Sequence, residues 1–318
     1  MHAAAPTISA VIPMFNAAAT IDACLGSVRA QRGSFELEII VVDDGSTDGA
    51  PVRLRSSPDL HLIELPSNGG PAAARNAGIA AASGEWIAFL DADDLWPEGK
   101  LQVQIELLQR HAPAAMVFGD CLQFDANGRW PRSEFVAAGI GSESNGNGAV
   151  LPDAYLRLVH GNVITTGSVI VRRDVLAQLG GFAEELRLVE DLELWLRIAR
   201  QHVVLRCPQL CLLRRRHASN LSRSREAMSL AWLEVLRRQP RGRDADPAAA
   251  NAIGQQMANE QLLLAALALS RRELGQAASR LRQGLAACRS LPGLWRAARA
   301  AGQTWRDLSQ PARSRAKQ

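Results

Sequence analysis

The sequence predicts an α/β fold: a Rossmann-like, mixed but mostly parallel sheet flanked by helices, followed by a C-terminal helical extension. Three observations carry this expectation. Short runs rich in Val, Ile and Leu alternate with helix-like stretches through the first third of the chain, the pattern of parallel strands covered on both faces. Two of these runs end directly in acidic clusters, Asp43-Asp44-Gly45-Ser46 and Asp91-Ala92-Asp93-Asp94, and ligands of such sheets bind outside the carboxyl ends of the strands. From Arg223 onward the pattern is helical throughout.

Taken in order, Ile8–Pro13 reads as the first strand and Ala18–Gln31 as a helix. Leu37–Val42 and Leu60–Leu65 are the next two strands, and Pro71–Ala82 is a helix opened by proline. Trp86–Leu90 is the fourth strand, followed by a helix over Pro97–His111 and a further strand over Ala115–Phe124. Ala137–Ala149, rich in Gly, Ser and Asn, reads as a mobile loop. Thr166–Val171 is expected to be a strand, followed by a helix through Leu179 that stops at Gly180-Gly181. Asp191–Gln201 is helical, with Leu192, Trp195, Leu196 and Ala199 on one face. Breaks in the C-terminal helices fall near Pro240, Pro247 and Pro292. The domain boundary is placed near Ser222, giving an α/β domain over 1–222 and a basic Ala/Leu/Arg-rich helical region over 223–318.

Composition supports a globular chain, with 47% hydrophobic and 21% charged residues. The net charge of +4 hides an asymmetry, because residues 200–318 hold 22 of the 36 basic residues and 7 of the 32 acidic ones. An acidic first part and a basic tail call for separate explanations. The five cysteines are odd in number and mostly lie in apolar stretches, so they read as buried free thiols. Cys207 and Cys211 have no second Cys/His pair nearby that would complete a zinc site. No basic segment followed by an apolar one opens the chain, so no secretory signal is expected. The longest uninterrupted apolar run, Leu262–Leu269, is far short of the ~20 residues that span a bilayer. A cytoplasmic protein is expected, peripheral at the inner face of the membrane if the basic tail binds lipid.

Carboxylates clustered at strand ends suit a divalent cation, an anionic diphosphate and one general base. A third acidic pair, Glu190-Asp191, precedes a helix. Five blocks then occur in order: Val11-Ile12-Pro13-Met14-Phe15-Asn16; Val41-Val42-Asp43-Asp44-Gly45-Ser46; Asn68-Gly69-Gly70-Pro71 running to Ala74-Arg75-Asn76-Ala77-Gly78; Asp91-Ala92-Asp93-Asp94; and Glu190-Asp191-Leu192-Glu193-Leu194-Trp195. Together they resemble the family 2 glycosyltransferases, which have the GT-A fold, and the resemblance covers roughly residues 7–222.

The resemblance implies an enzyme that transfers a sugar, with inversion, from a nucleotide-diphospho-sugar (UDP-sugars favoured) to the hydroxyl of a glycan or lipid-linked acceptor. It implies that Pro13, Phe15 and Asn16 line the nucleoside pocket, that Asp43 hydrogen-bonds the base, and that Arg75 reaches the base or the diphosphate. It implies Asp91 at the ribose or a metal-bound water, and Asp93 as a ligand of Mn²⁺ or Mg²⁺. Asp191 would be the general base and Glu190 would position it or the acceptor. His217, in Arg216-His217-Ala218-Ser219-Asn220, matches a segment that approaches the metal in relatives.

Plainer roles stand beside these. Asp44, Ser46 and Asp48 suit a turn, Asp94 suits a helix cap, and Trp195 suits core packing. A sugar-nucleotide nucleotidyltransferase is the alternative chemistry, but Met14-Phe15-Asn16-Ala17 lacks the Gly and the basic residue expected to grip a triphosphate. A catalytically inactive transferase-like scaffold is the non-enzymatic alternative. The tail has three readings: a helical cap, a tetratricopeptide-like pair over Ala265–Arg272 and Ala277–Ala287, or a membrane-surface patch. The last would use Arg237, Arg238, Arg241, Arg243, Arg313, Arg315 and Lys317 with Leu294, Trp295 and Trp305. Nucleic acid is not expected as a partner, because the aromatics do not interleave with the basic stretches.

Overall fold

The computed structural model describes residues 5–140, 149–217, 224–240 and 246–287. In chain order the first part contains β1 (Thr7–Met14), α1 (Ile21–Arg29), β2 (Glu36–Asp43), α2 (Ala50–Leu54), β3 (His61–Glu64), α3 (Pro71–Ala81), β4 (Trp86–Phe89) and α4 (Lys100–Arg110). There follow β5 (Ala114–Asp125), β6 (Gly128–Arg129), α5 (Glu134–Ala137), β7 (Ala149–Val150) and α6 (Ala154–His160). A 3₁₀ turn (Thr166–Ser168) leads into β8 (Ile170–Arg172), α7 (Arg173–Leu179), α8 (Glu190–Ala199) and β9 (Val203–Arg215). The tail contains α9 (Arg225–Arg238), α10 (Pro247–Ser270) and α11 (Leu274–Ala287).

The strands form one mixed sheet in the order β3-β2-β1-β4-β8-β5-β9-β7, with β6 paired to β5. β1 to β4 are mutually parallel neighbours, and β8 is antiparallel to both β4 and β5. The register sets Met14 beside Asp43 and Asp43 beside Glu64, so the carboxyl ends of the first three strands share one edge. Ile8, Ile12, Ile21, Val41 and Ile87 have no exposed surface and belong to the core that fixes this edge. Gly78 lets α3 lie directly on the sheet, because a Cβ there would stand 2.4 Å from a methyl of Val11. That close approach brings Arg75, one turn earlier, over the strand ends.

Two expectations change here. The segment Thr166–Val171 is a strand only in its second half, because Thr166–Ser168 turns as a 3₁₀ helix in which Ser168 Oγ donates to Thr165 O at 2.7 Å. The stretch Ala137–Ala149 begins as the end of α5 and finishes at the start of β7, while 141–148 lie outside the described residues.

The longest strand, β9, has no counterpart in the sequence expectation. It pairs in parallel with β5 across three register irregularities. Gly119 faces Cys207, Asp120 faces Leu210 and Cys121 faces Leu212, so Pro208, Gln209 and Cys211 are passed over. Proline lacks the N–H that a ladder needs and is tolerated in a sheet at such a bulge.

The chain divides into two units, the first comprising residues up to 154 with 162–220, the second 155–161 with 221–318. In the second, α10 packs against α9 and α11. Asp246 caps α10 by accepting from Ala248 and Ala249 N–H, and Pro247 occupies the first turn. The helix runs unbroken from Pro247 to Ser270, so the pair it makes with α11 is longer on one side than the tetratricopeptide-like spacing suggested. The domain boundary near Ser222, the basic residues Arg241, Arg243, Arg313, Arg315 and Lys317, the residues Leu294, Trp295 and Trp305, and the break at Pro292 all lie outside the described residues.

Candidate active site

The site is assembled from the carboxyl ends of β1, β2 and β4, the start of α8 and the end of β9. At the first of these, Asn16 adopts a left-handed conformation (φ 48) and laces two loops together. Its N–H donates to Ser46 Oγ at 2.8 Å, while its Oδ1 accepts from Thr47 N–H at 2.9 Å. Asp48 Oδ2 accepts from Ala18 N–H at 2.6 Å. Phe15 leaves half of its surface open beside this lacing, and Pro13 is partly buried. Asp43 is buried and accepts from Ser46 N–H at 3.2 Å. Asp44, also buried, accepts from Gly69 and Gly70 N–H at 2.7 and 2.8 Å, and so ties the second block to the third.

Arg75 is the centre of the charge arrangement. Only 4% of it is exposed. Its Nη1 donates to Glu190 Oε1 at 2.7 Å and its Nη2 to Asp91 Oδ1 at 2.8 Å, with the guanidinium 5.3 Å from the Phe182 ring centre. One buried cation therefore joins the carboxylate after β4 to the carboxylate pair that opens α8. Removing it strands Glu190 as an unpaired buried charge. Arg75→Met is expected to cost about 3–5 kcal/mol of folding stability, read by chemical denaturation. A loss under about 1 kcal/mol would contradict this account.

Asp93 follows Asp91 by two residues in the same loop. Its Oδ2 lies 2.7 Å from His217 Nε2. The loop that holds Asp93 is clasped to β9: Arg215 Nε donates to Asp93 O at 2.9 Å, Arg215 N–H donates to Asp94 Oδ1 at 2.7 Å, and Leu95 and Leu213 exchange backbone hydrogen bonds. Asp94 is thus buried and structural. Burial, reinforced by the charges of Asp93 and Asp91, pushes its carboxyl well above the usual range. The rest of the His217 segment, from Ala218 onward, lies outside the described residues.

Glu190 and Asp191 stand in the first turn of α8 behind Val189, whose positive φ of 54 is a strained conformation for a β-branched residue. Asp191 accepts from Leu192 N–H at 2.7 Å, from Thr166 Oγ1 at 3.2 Å and from Asn162 Nδ2 at 3.4 Å. Burial raises its proton affinity, against the lowering effect of Leu192 N–H, Arg75 and the Thr166 hydroxyl. Glu190 is raised as well, chiefly by burial, with Arg75 opposing and Asp191 adding. Nothing in the sequence marks Asn162 and Thr166 as site residues. Both precede a short strand, and a lone Asn or Thr in a loop carries no periodic signal. Trp195 is fully buried, edge-on to Phe182 at 6.0 Å.

The donor set fits a divalent cation only in part. Among the described residues, no three His, Cys, Asp or Glu side chains converge as a cage. Asp93 and His217 converge as a pair, with Asp91 nearby in sequence and 40% exposed at its side chain. Mg²⁺ and Mn²⁺ sites of one or two protein ligands are completed by water and substrate phosphates, so such a pair is compatible with them.

A mixed α/β sheet with carboxylates at the ends of its parallel strands and a second carboxylate pair at a helix start defines a GT-A-type fold. Residues 9–180 match the glycosyl transferase family 2, and the chain belongs to that family. It is 44% identical over 103 residues to the succinoglycan biosynthesis protein ExoO of Rhizobium meliloti, covering 32% of this chain and 29% of that protein. It is 37% identical over 133 residues to a PGL/p-HBAD biosynthesis glycosyltransferase of Mycobacterium bovis, covering 40% of this chain and 51% of that one. The match spans about a third to a half of these curated relatives. The crystal structure of S. aureus TarS 1–349 with UDP-GlcNAc superposes with a TM-score of 0.66 at 18% identity, over 95% of this chain and 92% of TarS 1–349. The mannosyltransferase PcManGT of Pyrobaculum calidifontis, solved with GDP-Man and Mn²⁺, gives 0.60 at 22% identity over 98% and 83%. These likenesses show a shared fold. No helix among the described residues is long and apolar enough to cross a membrane.

Proposed function

We propose that the protein transfers a sugar from a nucleotide-diphospho-sugar, a UDP-sugar by preference, to an acceptor hydroxyl with inversion, as a step in glycan assembly. The observation that carries this reading is the Arg75 bridge. It sets a strand-end carboxylate beside a metal-compatible pair on one side and a second carboxylate pair on the other, the two halves that a single displacement needs. In this reading Asp93 and His217, with Asp91, would hold Mn²⁺ or Mg²⁺, which supplies Lewis-acid neutralisation of the departing diphosphate. Pro13, Phe15, Asn16 and Asp43 take the nucleoside. Arg75 holds Asp91 and Glu190 in place. Asp191, held by Asn162 and Thr166, accepts the proton of the attacking hydroxyl, and Glu190 positions it. Names of relatives point the same way: a succinoglycan biosynthesis protein, and neighbours in fold bound to UDP-GlcNAc or GDP-Man with Mn²⁺.

Calorimetric titration of UDP with and without Mn²⁺ tests the donor half. Micromolar binding that requires Mn²⁺ is expected, and Asp93→Asn should weaken it at least about tenfold, or 1.4 kcal/mol. Equal binding in Asp93→Asn would remove Asp93 from the metal site, and no binding of UDP or GDP would remove the donor assignment.

The catalytic domain is proposed to end near Ser222. The basic region beyond it is proposed to hold the protein peripherally at the cytoplasmic face of a membrane, close to a lipid-linked acceptor. Its charge motivates this, with 17 of the 36 basic residues and 7 of the 32 acidic ones falling in 223–318. Deleting residues 290–318 should abolish sedimentation with anionic vesicles; unchanged sedimentation would sink the idea.

A further inference from the structure

We propose that Cys207 and Cys211 form a redox-active dithiol that closes to an intrachain disulfide by exchange with a low-molecular-weight disulfide such as oxidised glutathione. Residues four apart on a straight strand lie about 13 Å apart. Here the bulge of β9 folds the segment Cys207-Pro208-Gln209-Leu210-Cys211 so that the two sulfurs are 3.8 Å apart. The facing strand is cut away to admit them. A Cβ on Gly119 would stand 2.2 Å from Cys211 Sγ, so no larger residue fits opposite this sulfur.

A second anomaly beside the pair has the same explanation. Lys100 is 1% exposed, its Nζ has no hydrogen-bond partner, and it lies 4.2 Å from the centre of the Trp96 ring. A buried ammonium without an anion is costly. Its charge acts on both thiols, and a thiolate is the anion that this surrounding can supply.

The two sulfurs are unequal. Cys211 donates its S–H to Cys207 Sγ, which pulls the Cys207 thiol down, while Cys211 is pushed up by the same contact and by burial. This is the division between an attacking and a resolving thiol. Cys207 is fully buried, and its Sγ donates to Oε1 of Gln209, an exposed residue, at 2.9 Å. Cys24 and Cys121 are buried too, and burial only raises their thiols.

The exchange balances. The Cys207 thiolate attacks one sulfur of oxidised glutathione and expels one glutathione thiolate. Cys211 loses its proton and attacks Cys207 Sγ in the mixed disulfide, which expels the second. The protein is oxidised by two electrons and loses two protons, and one oxidised glutathione becomes two reduced ones.

Arg206 and Arg214 flank the pair, so trypsin places both cysteines in one peptide, Cys207–Arg214. Native full-length protein would be incubated with oxidised glutathione, alkylated in denaturant, digested and weighed. The expected peptide is unalkylated, free of glutathione and about 2 Da lighter than its dithiol form, while Cys24 and Cys121 are alkylated. Cys211→Ala should stop at a glutathione adduct on Cys207, and Lys100→Met should slow closure about tenfold at neutral pH. A fully alkylated Cys207–Arg214 peptide from native protein, under conditions that oxidise the denatured chain, would overturn the proposal. Closure at an unchanged rate in Lys100→Met would overturn the part given to the lysine. The wild-type peptide map stands by itself if Cys211→Ala fails to fold.

Discussion

Asp191→Asn should lower sugar transfer by roughly two to four orders of magnitude while leaving UDP affinity within about twofold. The carboxylate is held by Leu192 N–H, Thr166 and Asn162 in the geometry of an acceptor of protons, and an amide of the same shape keeps the packing but cannot take one. The pH dependence has a definite sign. Burial raises the proton affinity of Asp191, so kcat/KM in the wild type should fall on acidification at a pH above the ordinary aspartate range. The variant's residual rate should show no such limb. Stability should move the other way. A carboxyl raised in the folded state favours folding below its unfolded pKa, and that contribution is lost as pH rises through the folded value. At neutral pH the ionised group is therefore a burden, and Asp191→Asn should unfold at an equal or higher denaturant concentration than the wild type. Transfer retained within tenfold would refute the role as base. Transfer lost together with folding would refute the stability argument.

Lys100→Met should stabilise the protein, on the order of 3 kcal/mol at pH 6. Burial depresses this amine to about 7 from its usual 10.5. Since the unfolded chain binds the proton more tightly, wild-type stability rises with pH between those values, and the cost is complete below about 7. The advantage of the variant should therefore be widest in mild acid and shrink to about half by pH 9. Lys100 also opens α4, where the helix dipole disfavours a cation. Methionine follows the same path over Trp96 without the charge. Urea midpoints at the two pH values would decide it, and a variant less stable than wild type at pH 6 would show that the ammonium has a strong partner.

The parallel half of the sheet was legible because each strand there is a closed apolar run with a breaker at its end. Pro13, Asp43 and Asp91 mark the places where β1, β2 and β4 deliver the chain to the crevice. Glu190-Asp191 was legible for the opposite reason, as a charged pair opening an amphipathic helix. β9 was not. Arg206, Pro208, Gln209 and Arg214 interrupt its alternation, and its pairing with β5 slips around them. What the strand delivers, Arg215 on Asp94 and His217 on Asp93, depends on a neighbour some 120 residues away in sequence, the separations being 121 and 124. The partners of Arg75 were hidden similarly. The sequence marks it as a site cation, but only the fold shows both arms occupied by Asp91 and Glu190. Thr166–Val171 reads as extended because four of its six residues are β-branched, yet a local hydroxyl bond from Ser168 curls its first turn.

The lacing of Asn16 to Ser46 and Thr47, with Asp48 on Ala18 and Asp44 on Gly69 and Gly70, is made entirely by groups of this chain. Loops tied in this way lose their conformational entropy when the chain folds rather than when a ligand arrives. The nucleoside capture proposed for this edge should then behave as rigid docking, with a heat-capacity change set by the area covered and no added contribution from loop ordering. The same ties make the rim of the crevice a late-opening part of the molecule: amide hydrogens of Asn16, Thr47 and Gly70 should exchange with solvent only as slowly as the sheet beneath them opens.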